Sequence, residues 1–265
     1  MSNIVLITSI LCCIYLALFF LIYLNQEKLI FFPPGPNTIL YREWSNIEFT
    51  INSGNEKLQC WKVINQDCEN DYSLVYFGGN AEDVSGNLPD ANQYNVKTIY
   101  FINLSGYGNS TGKPSERAFY TNGLDVYDYI VSQEKTKPES LLLMGRSLGS
   151  AVALYVNANR SAKALMLVTP FDRLSNLVPL LIKSFFPTSL TLKHKFDNLK
   201  YLELIKNKIL ILAASHDEVI PAKLTMRLHE QCNGKAQCTV INDTNHQTIS
   251  NQTYFNEINT FINSL

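Results

Sequence analysis

In LLLMGRSLGSAVALY, residues 141–155, a run of leucine and methionine stops at Gly145 and a small-residue helical pattern resumes just past Gly149. Ser147 stands between the two glycines. This junction narrows the possible folds sharply. A strand apolar on both faces belongs inside a parallel sheet covered on both sides. A helix that follows it at once must turn back over the sheet at very close range. At that range a Cβ two residues either side of the serine would clash, and Gly145 and Gly149 carry none. The serine is forced onto a sharp turn with strained backbone, its hydroxyl exposed beside the free N–H groups and positive dipole end of the next helix. The pattern predicts a nucleophile elbow at Ser147. The competing view, a glycine-rich turn with a solvated serine, leaves the strand–turn–helix context unexplained.

The rest of the chain supplies the sheet that such an elbow needs. Strands are expected over 46–51, 57–64, 73–79, 97–103, 140–145, 162–170, 208–215 and 237–242, and helices over 116–134, 150–160, 222–232 and 252–265. Residues 81–94 read as a helix interrupted near Gly86 and Pro89. Antiparallel strands first, then strand–helix alternation, predict an α/β fold with a mostly parallel central sheet and helices on both faces. Residues 171–205 break the alternation, and their apolar middle, LVPLLIKSFFP, reads as a small helical cap inserted over the carboxyl ends of the strands. FFPPGP, residues 31–36, reads as a stiff linker.

Residues 3–24 carry no charge and, at about 1.5 Å per residue, make a helix long enough for a hydrocarbon core of roughly 30 Å. No Lys or Arg precedes the run and no cleavage site follows, so an uncleaved transmembrane anchor over 1–28 is expected, with a catalytic domain over 29–265. Lys and Arg number 22 and Asp and Glu 23, a net charge of −1 with no basic stripe, which argues against a nucleic-acid partner. Six cysteines are present. Cys12 and Cys13 lie in the anchor. Two local pairs, Cys60 with Cys68 and Cys232 with Cys238, suggest disulfides and an oxidising compartment. That places the catalytic domain on the non-cytoplasmic side of the membrane. Their spacing does not fit a zinc site, and no metal is expected.

A serine hydroxyl needs a base, and the base needs an orienting acid. In a fold of this kind the acid and then the histidine follow the serine along the chain. His246, in the loop after the last strand, is the expected base, leaving structural roles to His194, His216 and His229. Asp217, after KILILAAS, is the expected acid, with Glu218 and Asp243 as alternatives. The expected oxyanion donors are the N–H groups of Leu148, which follows the serine, and Asn80, in the loop YFGGNAED after the third strand.

These residues resemble the α/β-hydrolase fold, and in particular its membrane-anchored branch of α/β-hydrolase domain-containing serine hydrolases. The similarity runs from about Leu29 to the C-terminus through EKLIFFP, YFGGNAED, GYGNSTGKPSE, GRSLGSAVA, TPFDRLSNL, KFDNL, HDEVIP and His246. It implies a triad of Ser147, Asp217 and His246, main-chain donors at Asn80 and Leu148, ester, thioester or lipid-like substrates, and no cofactor. The chain departs from the family in having Gly78–Gly79–Asn80 for His-Gly-Asn, and Ser105 for the arginine before Gly-Tyr-Gly. The expected activity is hydrolysis of acyl esters or thioesters through an acyl-serine. The alternatives are a non-catalytic binding module or a peptidase of the same fold.

Overall fold

Successive strand residues face opposite sides of a sheet, and the central strands bury both sides. In the computed structural model, which describes residues 2–182 and 191–265, the strands are β1 (Glu48–Ser53), β2 (Glu56–Ile64), β3 (Ser73–Phe77), β4 (Thr98–Ile102), β5 (Leu141–Arg146), β6 (Ala164–Val168), β7 (Lys208–Ala214) and β8 (Ala236–Ile241). They form one sheet in the order β1-β2-β4-β3-β5-β6-β7-β8. β2 runs antiparallel to both β1 and β4, and all the other pairings are parallel. This is the expected mixed, mostly parallel sheet.

Helices cover both faces, again as expected. Val75, Phe77, Leu143, Leu165, Leu167 and Ile211 point to one side. They meet α3 (Glu116–Ser132), α4 (Leu148–Asn159) and α7 (Ala222–Glu230) there. Leu74, Tyr76, Leu142, Met144, Met166 and Leu212 point to the other. That side is closed by α8 (Gln252–Asn263) and by the 3₁₀ turns of Val84–Gln93, where a helix with interruptions was expected. Pro89 sits inside that segment and has no N–H to donate.

Four further helices are described outside these layers. α1 (Ser2–Ile30) is the expected N-terminal apolar helix, and by length and composition it can cross a membrane. Between β6 and β7 run α5 (Leu174–Ile182) and α6 (Asn198–Leu202). The middle of the expected cap, 183–190, lies outside the described residues. The ends of this excursion are tied together. Arg173 pairs with Asp197 at 2.9 Å, and the buried Asp172 accepts from Asn176 at 2.7 Å and offers its carbonyl to Asn198 N. α2 (Thr38–Glu43) packs Tyr41 against Trp61 of β2, ring centroids 5.4 Å apart.

Two expectations fail. FFPPGP ends the helix, but the expected stiff linker is packed into the domain. Phe31 is buried edge-on against Phe119, His194 and Phe196, and Phe32 N donates to Asn80 Oδ1. The two disulfides, Cys60–Cys68 and Cys232–Cys238, are also absent, because all six cysteines are free. Cys60 sits mid-strand with its Sγ toward Leu58 O, and β2 continues to Ile64. At about 3.3 Å per residue the strand carries the chain roughly 13 Å away before the loop holding Cys68 begins. Cys68 Sγ meets Asn95 Oδ1 instead, and Cys232 Sγ turns back to Leu228 O at the end of its helix. The argument for a non-cytoplasmic catalytic domain rested on those pairings and falls with them.

Candidate active site

The expected triad residues and oxyanion donors each lie at or just beyond the carboxyl end of a parallel strand, or on the helix that starts there. β5 ends at Arg146 and α4 starts at Leu148, which leaves Ser147 as the whole connection. It takes φ 51° and ψ −117°, a backbone that an L-residue adopts only under strain. Its N–H donates to Val168 O at 2.8 Å, and Ser150 Oγ caps its carbonyl at 2.5 Å. The glycines explain how the turn fits. A Cβ on Gly145 would sit 2.2 Å from Gly149 O, and one on Gly149 would sit 2.1 Å from Phe77 O. The start of α4 therefore touches β5 and the end of β3, backbone to backbone.

Asp217 and His246 are brought together. His246 Nδ1 lies 2.8 Å from Asp217 Oδ2. A carboxylate only accepts, so Nδ1 carries the hydrogen and Nε2 keeps a lone pair. The other oxygen of Asp217 accepts from Val219 N at 2.9 Å and Ile220 N at 2.7 Å, and the side chain is almost wholly buried. Glu218 and Asp243 make no such bond. The Ser147 hydroxyl has no hydrogen-bond partner among the described residues and lines a pocket. The other histidines are occupied: His216 with Ser215 Oγ, His229 with Ala236 O, and His194 with Glu116 N.

The loop after β3 lies against the serine, because a Cβ on Gly79 would be 3.4 Å from Ser147 Cβ. The N–H groups of Asn80 and Leu148 meet no protein acceptor among the described residues, and both residues line the same pocket as Ser147. The loop is held from several sides. Glu82 Oε2 accepts Gly79 N at 2.7 Å. Tyr107 Oη lies 2.7 Å from Asn80 O and 2.8 Å from its Oδ1. Asn80 Nδ2 donates to Ile30 O at 2.6 Å.

Arg146 was overlooked in the sequence. Its guanidinium donates to His246 O at 2.7 Å and stands 3.8 Å from Glu82 Oε2. Burial is the largest single influence and opposes its charge, but Glu82, Tyr76 and Tyr254 together outweigh it and keep the guanidinium more firmly protonated than an ordinary arginine. One side chain thus joins the loop of His246 to the loop of Asn80. The only signal for it in the sequence is its place between Gly145 and Ser147.

The pocket holds about 340 Å³, within the roughly 300–1,000 Å³ usual for small-molecule sites. Its lining is overwhelmingly apolar and, apart from Asn80, Ser147 and Leu148, comes from three sources. α1 and the segment after it supply residues from Phe19 to Phe32, the 171–205 excursion supplies Phe171, Leu174, Leu177 and Leu192, and the loop after β7 supplies Val219. No group of three or more His, Cys, Asp or Glu fit to hold a metal occurs among the described residues.

No protein-family model matches the chain. It is 24% identical to an uncharacterized protein of Mycobacterium tuberculosis, covering 78% of this chain and 75% of that protein. It is 24% identical to human alpha/beta hydrolase domain-containing protein 17B, covering 78% and 79%. Protein bem46 of Schizosaccharomyces pombe is 25% identical over 173 residues, 60% of this chain and 56% of bem46. Among solved structures, Est1E of Butyrivibrio proteoclasticus with ferulic acid bound superposes with a TM-score of 0.65 at 16% identity, over 82% of this chain and 98% of Est1E. An alpha-beta hydrolase of Vibrio vulnificus gives 0.67 at 18% identity, over 86% and 85%. Sheet order, elbow and the solved structures agree: this chain has the α/β-hydrolase fold, is similar in sequence to the alpha/beta hydrolase domain-containing proteins and bem46, and carries an N-terminal helix apolar enough to cross a membrane.

Proposed function

We infer that the protein is a serine hydrolase of carboxylic esters or thioesters, working through an acyl-Ser147 intermediate on acyl-chain or lipid-like substrates. The observation that carries this is a strained serine between Gly145 and Gly149, facing an apolar pocket, with an Asp217–His246 pair closed at 2.8 Å at the ends of neighbouring strands. Ser147 Oγ attacks the acyl carbonyl, and its proton passes to His246 Nε2. The carbonyl π electrons move to oxygen, and the N–H groups of Asn80 and Leu148 receive that charge. His246 gives the proton to the departing alcohol or thiol as its bond to the acyl carbon breaks. Water then repeats the sequence on the acyl-enzyme: His246 takes its proton, hydroxide adds, and Ser147 leaves with the proton returned. Asp217 fixes the imidazole tautomer and orientation throughout. Phe171, Leu174, Leu177 and Leu192, from the two described ends of the cap, shield the acyl group from water.

The test is hydrolysis of 4-nitrophenyl esters by the full-length protein in detergent, with fluorophosphonate labelling beside it. Ser147→Ala should lower kcat by about 10⁴- to 10⁶-fold and abolish labelling, with the melting temperature retained. Equal turnover in wild type and variant would refute the reading.

A further inference from the structure

We propose that α1 is more than an anchor: its C-terminal half is one wall of the acyl-binding site, so that a long acyl chain lies against Phe19 and Ile22 and enters from the bilayer in which the helix sits. The proposal rests on the hydrolase reading for the identity of the ligand, while the wall itself is a matter of geometry.

The helix shows two regimes. Residues 3–18 are exposed all round, a length of roughly 24 Å at about 1.5 Å per residue. From Phe19 onward, one side is covered. Phe19 and Ile22 are half-buried and Gln26 and Ile30 buried, while Phe20, Leu21, Leu24 and Leu29 stay exposed. Spacings of three and four put the covered residues on one helical face. That face lines the pocket that holds Ser147, opposite Leu177 and Leu192.

The docking is specific. Gln26 is 5% exposed in the middle of an apolar wall, and a buried amide needs partners. It has them: Oε1 accepts Lys193 N at 2.7 Å, and Nε2 donates to Tyr23 O at 3.0 Å. The Lys193 ammonium lies 4.9 Å from the Tyr23 ring. At the last turn, Ile30 O accepts from the Asn80 side chain. The helix end is therefore bonded to the loop that lies against the serine.

The lengths fix where the pocket would sit. The exposed stretch is slightly shorter than a hydrocarbon core of about 30 Å, so a membrane-crossing α1 carries its covered turns into the boundary region of the bilayer. The pocket mouth is apolar there. Leu29, Phe32 and Val219 line it and are 56%, 54% and 38% exposed. Exposed apolar side chains around a dry pocket are costly in water and suit a lipid surface. An ester whose chain already lies in lipid reaches Ser147 without crossing water.

The experiment uses the full-length protein in phospholipid vesicles and reads two quantities. The first is the ratio of kcat/KM for a C16 ester to that for a C4 ester. Ile22→Trp, on the pocket face, should lower this ratio at least tenfold, whereas Leu21→Trp, on the exposed face, should leave it unchanged. The second is photo-crosslinking of wild type and Ser147→Ala with a diazirine-bearing palmitate, mapped by mass spectrometry. Attachment should fall on Phe19, Ile22 or Gln26 and be competed by palmitate. Equal effects of the two tryptophans, or attachment spread over Phe20 and Leu21 without competition, would overturn the proposal. The two readings fail separately. Absence of ester turnover with competed attachment at Ile22 removes the hydrolase and keeps the acyl wall. Turnover with an unmoved ratio and no competed attachment does the reverse.

Discussion

At the scale of single residues, the site depends on which groups are held and by what. Asp217 spends both oxygens, one on His246 and one on two backbone N–H groups, so its carboxylate cannot rotate without breaking three bonds. Arg146 plays the matching part for the loops. It holds the carbonyl of His246, a residue 100 positions away, and lies beside Glu82, which fixes Gly79 N. Arg146 does not line the pocket, so it is a positioning residue. Arg146→Met should lower kcat for a short ester by about 10- to 100-fold, the size of a displacement near 1 Å. KM should change little, because no pocket surface is lost. Arg146→Lys should not restore the rate, since an ammonium on a flexible stem does not span two partners as a guanidinium does. Steady-state kinetics on 4-nitrophenyl butyrate would decide it, and full rescue by lysine would show that charge alone matters. The positions of Ser147, Asp217 and His246 were legible in the sequence because each follows a strand run that periodicity reveals. The work of Arg146, Glu82 and Tyr107 was not, because it consists of side-chain bonds between segments far apart in the chain.

At the scale of elements, α1 illustrates the limit of pattern reading. A helix apolar all round has no polar face to reveal which side packs, so the wall it makes was invisible. The hint was Gln26, four residues from both Ile22 and Ile30, a buried amide in an apolar stripe. The docking of α1 also has a titratable contact. His194 Nδ1 accepts Glu116 N at 3.3 Å, its ring meets Phe31, and its Nε2 lies 3.8 Å from Glu27. Burial lowers its pKa below 6.5, against the opposing pull of Glu27 and Glu116, with neighbouring Lys193 acting alongside burial. A histidine whose pKa falls on folding is neutral in the native state. Its contribution is complete above the unfolded value near 6.5, and is lost as pH falls through the unfolded and then the folded value. The melting temperature of the full chain in detergent should therefore drop between about pH 7 and pH 5. His194→Gln, compared with wild type over the same range, should show a shallower drop. An identical slope would show that the ring carries no such linkage.

At the scale of the whole molecule, the two-faced sheet was readable from runs such as LLLM and ILIL, which bury alternate residues in two separate cores. The disulfides were misread because nearness in sequence stood in for nearness in space. Cys60 and Cys232 are enclosed instead, and burial pushes the thiol of Cys232 up to about 11 and that of Cys60 further still. A thiol titration of the denatured, unreduced protein should count six free groups. In the native protein a maleimide at neutral pH should leave Cys60 and Cys232 unmodified, because the thiolate is the reactive form. Four groups in the denatured count would restore one bridge. One last feature bears on the whole fold. The start of α4 rests directly on the carbonyl oxygens of Phe77 and Gly78, with no side chain between them. What aligns the elbow with the loop after β3 is thus written in main chain, which mutation cannot edit except by adding a side chain at those glycines. Most other residues around such a joint can change and leave its angles as they are.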